Sequence, residues 1–172
     1  MNKKSGFTLA EVLVTLMIIG VIAAMTIPSL MQSTAQQEYK AAYKKAVSML
    51  NQAVTLNYAL EGEDASSFTG TNFFNLMTQR LNVLKTGTNL VYTADGMKFT
   101  AKAGGGTTCD INNAMTTSNI CAYVEVDVNG DKGPNKKTTA TNKVYDIFSI
   151  AIYPQKAIPS TDFEQALMFG KK

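Results

Sequence analysis

With 172 residues the chain has room for one domain plus an anchoring segment. Sixteen basic against 13 acidic residues give a formal charge of +3, too small an excess to point to nucleic acid as the main partner. Histidine is absent, which removes the commonest general base and zinc ligand. No nucleophile–base set remains to support an enzyme.

The chain opens on Lys3-Lys4-Ser5-Gly6-Phe7-Thr8-Leu9-Ala10-Glu11, and residues 7–27 hold a single charged side chain, Glu11. As a helix rising about 1.5 Å per residue, such a run reaches roughly 30 Å, the hydrocarbon thickness of a bilayer. Lys3 and Lys4, just ahead of it, keep the first six residues cytoplasmic by the positive-inside rule and leave the rest outside. A carboxylate inside an apolar helix costs about 2.5–3.5 kcal/mol on insertion scales, so Glu11 is expected to have a job or a partner. A secretory signal peptide also begins with lysines, but its apolar core spans about 7–15 residues and carries no acid. The other alternative is a buried soluble helix with one tolerated glutamate.

These residues resemble the N-termini of the type IV pilins and the type II secretion pseudopilins. Those chains have a short basic leader ending in Gly, then Phe-Thr-Leu-x-Glu, then an apolar helix. The resemblance extends through Gly20, Ala23-Ala24 and Pro28, so it covers residues 1–28 of 172. It implies that a prepilin peptidase cuts between Gly6 and Phe7 and methylates the new Phe7 amine. Thr8 and Leu9 fill the next two family positions, and the resemblance implies that they take part in assembly with Glu11. The resemblance also implies that Glu11 pairs with the N-terminal amine of a neighbouring subunit during assembly. Each buried charge would cost several kcal/mol alone, and each removes the other's penalty. Loss of the leader would leave 14 basic against 13 acidic residues. Further implied are a polymer with itself and other pilin-like subunits, and an inner-membrane assembly platform with its ATPase. The expected location is the bacterial inner membrane, head outside the cytoplasm, then a periplasmic or extracellular filament. Glu11 argues against the one pseudopilin type that lacks this acid and caps the tip.

Pro28 cannot donate a backbone hydrogen bond, and Gly20 lowers helix propensity by about 1 kcal/mol relative to Ala. The interval between them is the weakest part of the helix. Family filaments loosen this interval, and a simple kink at Pro28 is the alternative. Beyond Pro28, Leu30, Met31, Ala35, Tyr39, Ala42, Tyr43, Ala46, Val47, Leu50, Val54 and Tyr58 recur at steps of three and four. No Gly or Pro interrupts positions 29–60, so one helix over 7–60, roughly 80 Å long, is expected. A coiled coil over 39–58 is disfavoured by the width of the stripe.

Glu61-Gly62-Glu63-Asp64 ends that helix, and 65–72 reads as a polar loop. Residues 73–84 read as a short second helix capped by Thr71 or Asn72, with Phe73, Phe74, Met77, Leu81 and Leu84 packing inward. The period then changes to two. Segments 89–93 and 96–100 bracket Ala94-Asp95 as a hairpin. The triple glycine 104–106 lacks a following GKS or GKT, so it reads as loop and not as a phosphate cradle. Cys109 and Cys121, in an exported chain, read as one disulfide closing a small surface loop; closure there contributes about 2–4 kcal/mol. The family's commonest bridge lies nearer the C-terminus.

Ala122, Val124, Val126 and Val128 alternate with Tyr123, Glu125 and Asp127 as a half-buried strand, and Asn129-Gly130 favours a tight turn. Residues 145–153 read as the last strand, and Thr161-Asp162-Phe163-Glu164 as a capping box opening a final helix. Asp127, Asn129 and Asp131 place oxygens at every second residue, like the front of a calcium loop, with Asp146 able to close the site from the next strand. Lys132 stands where an EF-hand needs glycine and Thr138 where it needs glutamate. Several pseudopilins hold calcium in a C-terminal loop. The alternative is a turn-rich connector whose Asp and Asn bond their own backbone.

The sequence therefore predicts an α+β pilin fold, a long N-terminal helix packed on an antiparallel sheet head. Its expected parts are a leader at 1–6, a transmembrane or filament-core helix at 7–28, its amphipathic half at 29–60 and a head at 61–172. The expected role is a structural subunit of a type IV pilus or type II secretion pseudopilus that needs no cofactor. The alternative is a minor or competence pilin whose head captures DNA or a surface, with Lys132, Lys136, Lys137 and Lys143 as its basic patch.

Overall fold

The computed structural model of the protein describes residues 6–139 and 143–170. It divides into two compact units, one ending at Gln37 and one beginning at Glu38. The first helix, α1 (Leu9–Glu61), contributes to both. In the first unit its apolar side chains, among them Leu13, Met17, Ile19 and Ile22, are exposed. Among the described residues it is the one helix long and apolar enough to cross a membrane. Pro28 lies inside α1, which continues through it.

In the second unit α1 becomes one-sided. Tyr43, Ala46, Val47, Leu50, Ala53 and Val54 are buried, at the steps of three and four that put residues on one helix face. They cover a six-stranded antiparallel meander whose strands lie in chain order. The strands are β1 (Val83–Gly87), β2 (Leu90–Thr93), β3 (Lys98–Lys102), β4 (Ala122–Asp127), β5 (Ile147–Tyr153) and β6 (Lys156–Pro159). Alternation supplies the other half of the core: Val91, Phe99, Val124, Val126, Phe148, Ile150 and Ile152 are buried. Tyr43 stacks on Phe148 with ring centroids 4.2 Å apart, and its hydroxyl donates to the Ser149 carbonyl at 3.3 Å. Full burial of such side chains contributes about 1.5–3 kcal/mol each.

Two asparagines of α1 act as backbone surrogates. Asn51 Nδ2 donates to the Ala157 carbonyl at 2.7 Å while its Oδ1 accepts from the Ala157 amide at 2.9 Å, tying β6 to the helix. Asn57 donates to the Glu63 carbonyl and accepts from Arg80 Nε at 3.0 Å. Arg80 closes the second helix, α2 (Phe73–Arg80), and also pairs with Glu61 at 2.7 Å. The last helix, α3 (Asp162–Phe169), opens on the expected Thr161–Glu164 capping box.

Several expectations are corrected. The second helix stops at Arg80, four residues short of Leu84, because Leu81 turns extended and Val83 pairs with Thr93. Leu84 is accordingly 73% exposed instead of packed inward, and Asn72 caps α2 without a side-chain hydrogen bond. The strand of 145–153 is not the last, since β6 returns beside it after a turn at Pro154-Gln155. Asp127, expected on the open face of β4, is buried. The stripe on α1 also shifts at its end, with Asn57 buried and Tyr58 exposed.

Phe148→Ala should lower stability by about 3–5 kcal/mol, because it empties the centre of the α1–sheet contact. Leu84→Ala should change it by no more than about 0.5 kcal/mol. Thermal unfolding of the two variants in detergent, followed by circular dichroism, checks both.

Candidate functional site

The N-terminal motif is built around the first turn of α1. Lys3 and Lys4 lie outside the described residues, whereas Gly6, Phe7 and Thr8 precede the helix in non-helical backbone and Leu9 begins it. Phe7 and Leu9 are exposed. The Thr8 carbonyl accepts the first helical bond from the Val12 amide at 3.2 Å. Thr8 Oγ1 accepts from the Glu11 amide at 3.3 Å. Glu11 Oε2 in turn accepts from the Thr8 amide and the Thr8 hydroxyl, both at 2.8 Å. This is a capping box, with threonine as N-cap and glutamate three residues on. Gly20 has open space around its Cα.

In the head, Cys109 and Cys121 form a disulfide closing a loop of 12 residues' separation. Asn119, buried inside that loop, is its second fastening: Oδ1 accepts from the Asp110 amide at 2.6 Å, and Nδ2 donates to the carbonyls of Asp110, Asn113 and Ala114. The triple glycine runs alongside. A Cβ on Gly106 would sit 1.9 Å from the Ser118 carbonyl oxygen, so only glycine allows this approach.

The four oxygen residues considered for calcium are not brought together as a cage. Asp131 turns outward to Lys98 Nζ at 2.8 Å and the Tyr92 hydroxyl at 2.9 Å. Both oxygens of Asp146 accept backbone amides, from Asn135 at 2.7 Å and Lys136 at 2.9 Å. Asp127 Oδ1 accepts from the Asn129 amide at 3.3 Å, and Asn135 can donate its side-chain amide to Asp127 Oδ2 at 3.0 Å. Asn129 Nδ2 donates to the Gly133 carbonyl. Among the described residues no three acidic, cysteine or histidine side chains form a metal-holding group. Backbone N–H groups hold both Asp146 oxygens and Asp127 Oδ1, whereas Asn129 Oδ1 is buried without a hydrogen-bond partner among the described residues.

Burial pushes the Asp127 carboxyl up to about 6, helped by the nearby charge of Asp146. Burial also raises Glu125, but Lys137 at 2.5 Å and Lys102 at 3.1 Å hold it below the usual range. Lys137 is thus neutralised within the lysine set, and Lys136 lies over the Tyr145 ring at 5.7 Å. Lys132 and Lys143 are exposed.

Sequence reasoning missed Asn51, Asn57 and Asn119. Their only signal was polarity on a helix face or in a loop, where asparagine is usually solvated.

The N-terminal arrangement is of prepilin type: a glycine-bounded bond, a threonine cap, a glutamate and then an uninterrupted apolar helix. Residues 1–27 match the family model described as the prokaryotic N-terminal methylation motif. The chain therefore carries the motif of the type IV pilins and pseudopilins on an α+β, pilin-like architecture. No curated protein and no solved structure matches it.

Asp127 binds its proton more tightly folded than unfolded, so between about pH 4 and pH 6 its own contribution to stability should fall as pH rises. Asp127→Asn should flatten that decline and be at least as stable as wild type at pH 7. The share of Glu164, whose carboxyl burial also raises, should remain. Thermal midpoints across this range test the assignment; an unchanged slope would remove it.

Proposed function

We propose that the chain is a structural subunit of a type IV pilus or type II secretion pseudopilus rather than an enzyme. A prepilin peptidase cuts it between Gly6 and Phe7 and methylates the Phe7 amine. The mature chain stays anchored in the bacterial inner membrane with its head outside the cytoplasm. It then joins a filament through α1, raised by an assembly platform and its ATPase. The observation that carries this reading is the methylation motif at residues 1–27 on a helix whose exposed apolar stretch holds one acid.

The chemistry of assembly follows from two charges. Cleavage creates an ammonium at Phe7, and Glu11 supplies the carboxylate that meets it on a neighbouring subunit. The pair removes two desolvation costs at once and sets the register between helices. Apolar area supplies the adhesion, and the charge pair supplies the alignment. Gly20 and Pro28 mark where the helix gives way most easily during packing. The reading invokes no cofactor. The lysine set of the head gives the DNA-binding alternative little support, since Glu125 neutralises Lys137.

The first test is the mass of the mature N-terminal peptide from membrane-extracted protein. N-methylated Phe7 as first residue is expected, whereas an intact Met1 or a start near Met25 would refute processing at Gly6. Glu11→Ala should leave the protein membrane-anchored and abolish sheared filaments. Wild-type filament yield in that variant would remove the charge pair from the mechanism.

A further inference from the structure

We infer that the neck of the 109–121 loop closes without its disulfide, and that Asn119 is the residue that positions Cys109 beside Cys121 for bonding. The neck is built on both sides of Cys109. Before it, the Thr108 amide and hydroxyl donate to the Ser118 carbonyl at 3.0 and 2.8 Å. After it, the Asp110 amide donates to Asn119 Oδ1 at 2.6 Å, and the Asp110 carbonyl accepts from Asn119 Nδ2 at 3.0 Å. The Asn119 side chain thus pairs with Asp110 as a peptide unit of a neighbouring strand would. It is 1% exposed, so these bonds are shielded from competing water. Its further bonds, to the Asn113 and Ala114 carbonyls at 3.0 and 3.2 Å, draw the far side of the loop inward.

Cys121 is fixed independently of its sulfur. Its amide donates to the Ile152 carbonyl at 2.7 Å, and its carbonyl accepts from the Gly70 amide at 2.9 Å. The triple glycine lets the two arms of the neck approach. A Cβ on Gly105 would stand 2.8 Å from the Ile120 and Cys121 carbonyl oxygens, and one on Gly106 would overlap the Ser118 carbonyl. Closing a flexible loop costs chain entropy, which these bonds offset before any sulfur reacts. Two thiols on a short flexible chain meet at an effective concentration of about millimolar, and thiols held in a formed neck meet far more often. Oxidation then joins the two Sγ atoms and passes two protons and two electrons to a disulfide oxidant, which leaves as two thiols. The bond locks a loop already in place. The exposed Ile111 and Met115, which share a cleft with Tyr153 and Lys156, are consequently presented alike in the dithiol and disulfide forms.

The test uses the full-length protein in detergent. Reduced chains are returned to oxidised glutathione and alkylated at intervals, and mass spectrometry reads the fraction bridged. Asn119→Ala and Gly106→Ala should bridge about tenfold or more slowly than wild type, the scale of a lost buried hydrogen bond. Leu84→Ala, on the far edge of the sheet, should bridge at the wild-type rate. Hydrogen exchange of the Cys109→Ser/Cys121→Ser chain, followed by nuclear magnetic resonance, reads the neck without either thiol. There the Thr108 and Asp110 amides should exchange at least about tenfold more slowly than in an unstructured chain, on the same hydrogen-bond scale. Faster exchange than that, confined to the loop or spread through the head, would overturn the inference. So would a wild-type bridging rate in Asn119→Ala or Gly106→Ala, or an equal slowing in Leu84→Ala. If Asn119→Ala does not fold, the thiol-free chain, which keeps Asn119, decides the matter.

Discussion

One electrostatic cost governs the N-terminal segment: a carboxylate set in a helix otherwise fit for hydrocarbon. That cost is too large to leave unanswered and too small to prevent insertion. The chain answers part of it locally, because placing Glu11 three residues after Thr8 gives the carboxylate two donors at the end of the helix where negative charge is favoured. The same acid further along the apolar run would have no free N–H within reach, since every amide there is spent on the helix ladder. The position of the acid is therefore as informative as its presence. Glu11 sits within the first turn, where the helix still has N–H groups to offer it.

The head applies the same economy to its buried polar groups. Glu164, Asp146, Asn119, Asn51 and Asn57 are answered mainly by backbone N–H and C=O groups. Fully bonded polar groups of this kind fix geometry more than they add stability, because each replaces bonds made to water in the unfolded chain. Asn51 illustrates this. An apolar residue there would pack against β6, but it would not define the register at Ala157, which lies at the sheet's edge. Area from Tyr43, Leu50, Phe99 and Phe148 holds the helix to the sheet, and the asparagines say where.

What could be read from the sequence depended on how local the cause was. The long helix was legible because its period and its freedom from Gly and Pro over 29–60 are properties of neighbouring residues. The box at Thr161 and the turn at Asn129-Gly130 were legible for the same reason. The end of α2 was not, because Leu81, Val83 and Leu84 continue an apolar spacing that suits a helix. Only the pairing of β1 with β2 pulls the backbone extended there. Strand β6 was hidden by its shortness and by Pro159, which is tolerated because β6 is an edge. Alternation placed Asp127 on the open face of β4, yet the turn that follows brings the Asn129 amide and Asn135 against it, and it is buried. The motif at residues 1–27 was legible in full as a pattern, but the hydrogen bonds inside it required coordinates.

The loop after β4 shows why an oxygen-rich pattern has two readings. Aspartate and asparagine at every second residue suit a calcium ion because their oxygens can converge on a point of positive charge. The same residues suit a turn-rich connector, because its unpaired backbone N–H groups are also positive and lie at similar spacing. A sequence cannot distinguish the two, since both need the same side chains. Here the backbone comes first: the Asn135 and Lys136 amides claim Asp146, the Asn129 amide claims Asp127, and Lys98 draws Asp131 away. A cation entering this loop would have to displace donors already in place and bring Asp131 back from its lysine. The acid that remains least satisfied is Asp127. Its weak hold on negative charge comes from burial and the nearby Asp146, against the Asn129 amide that favours the charged form.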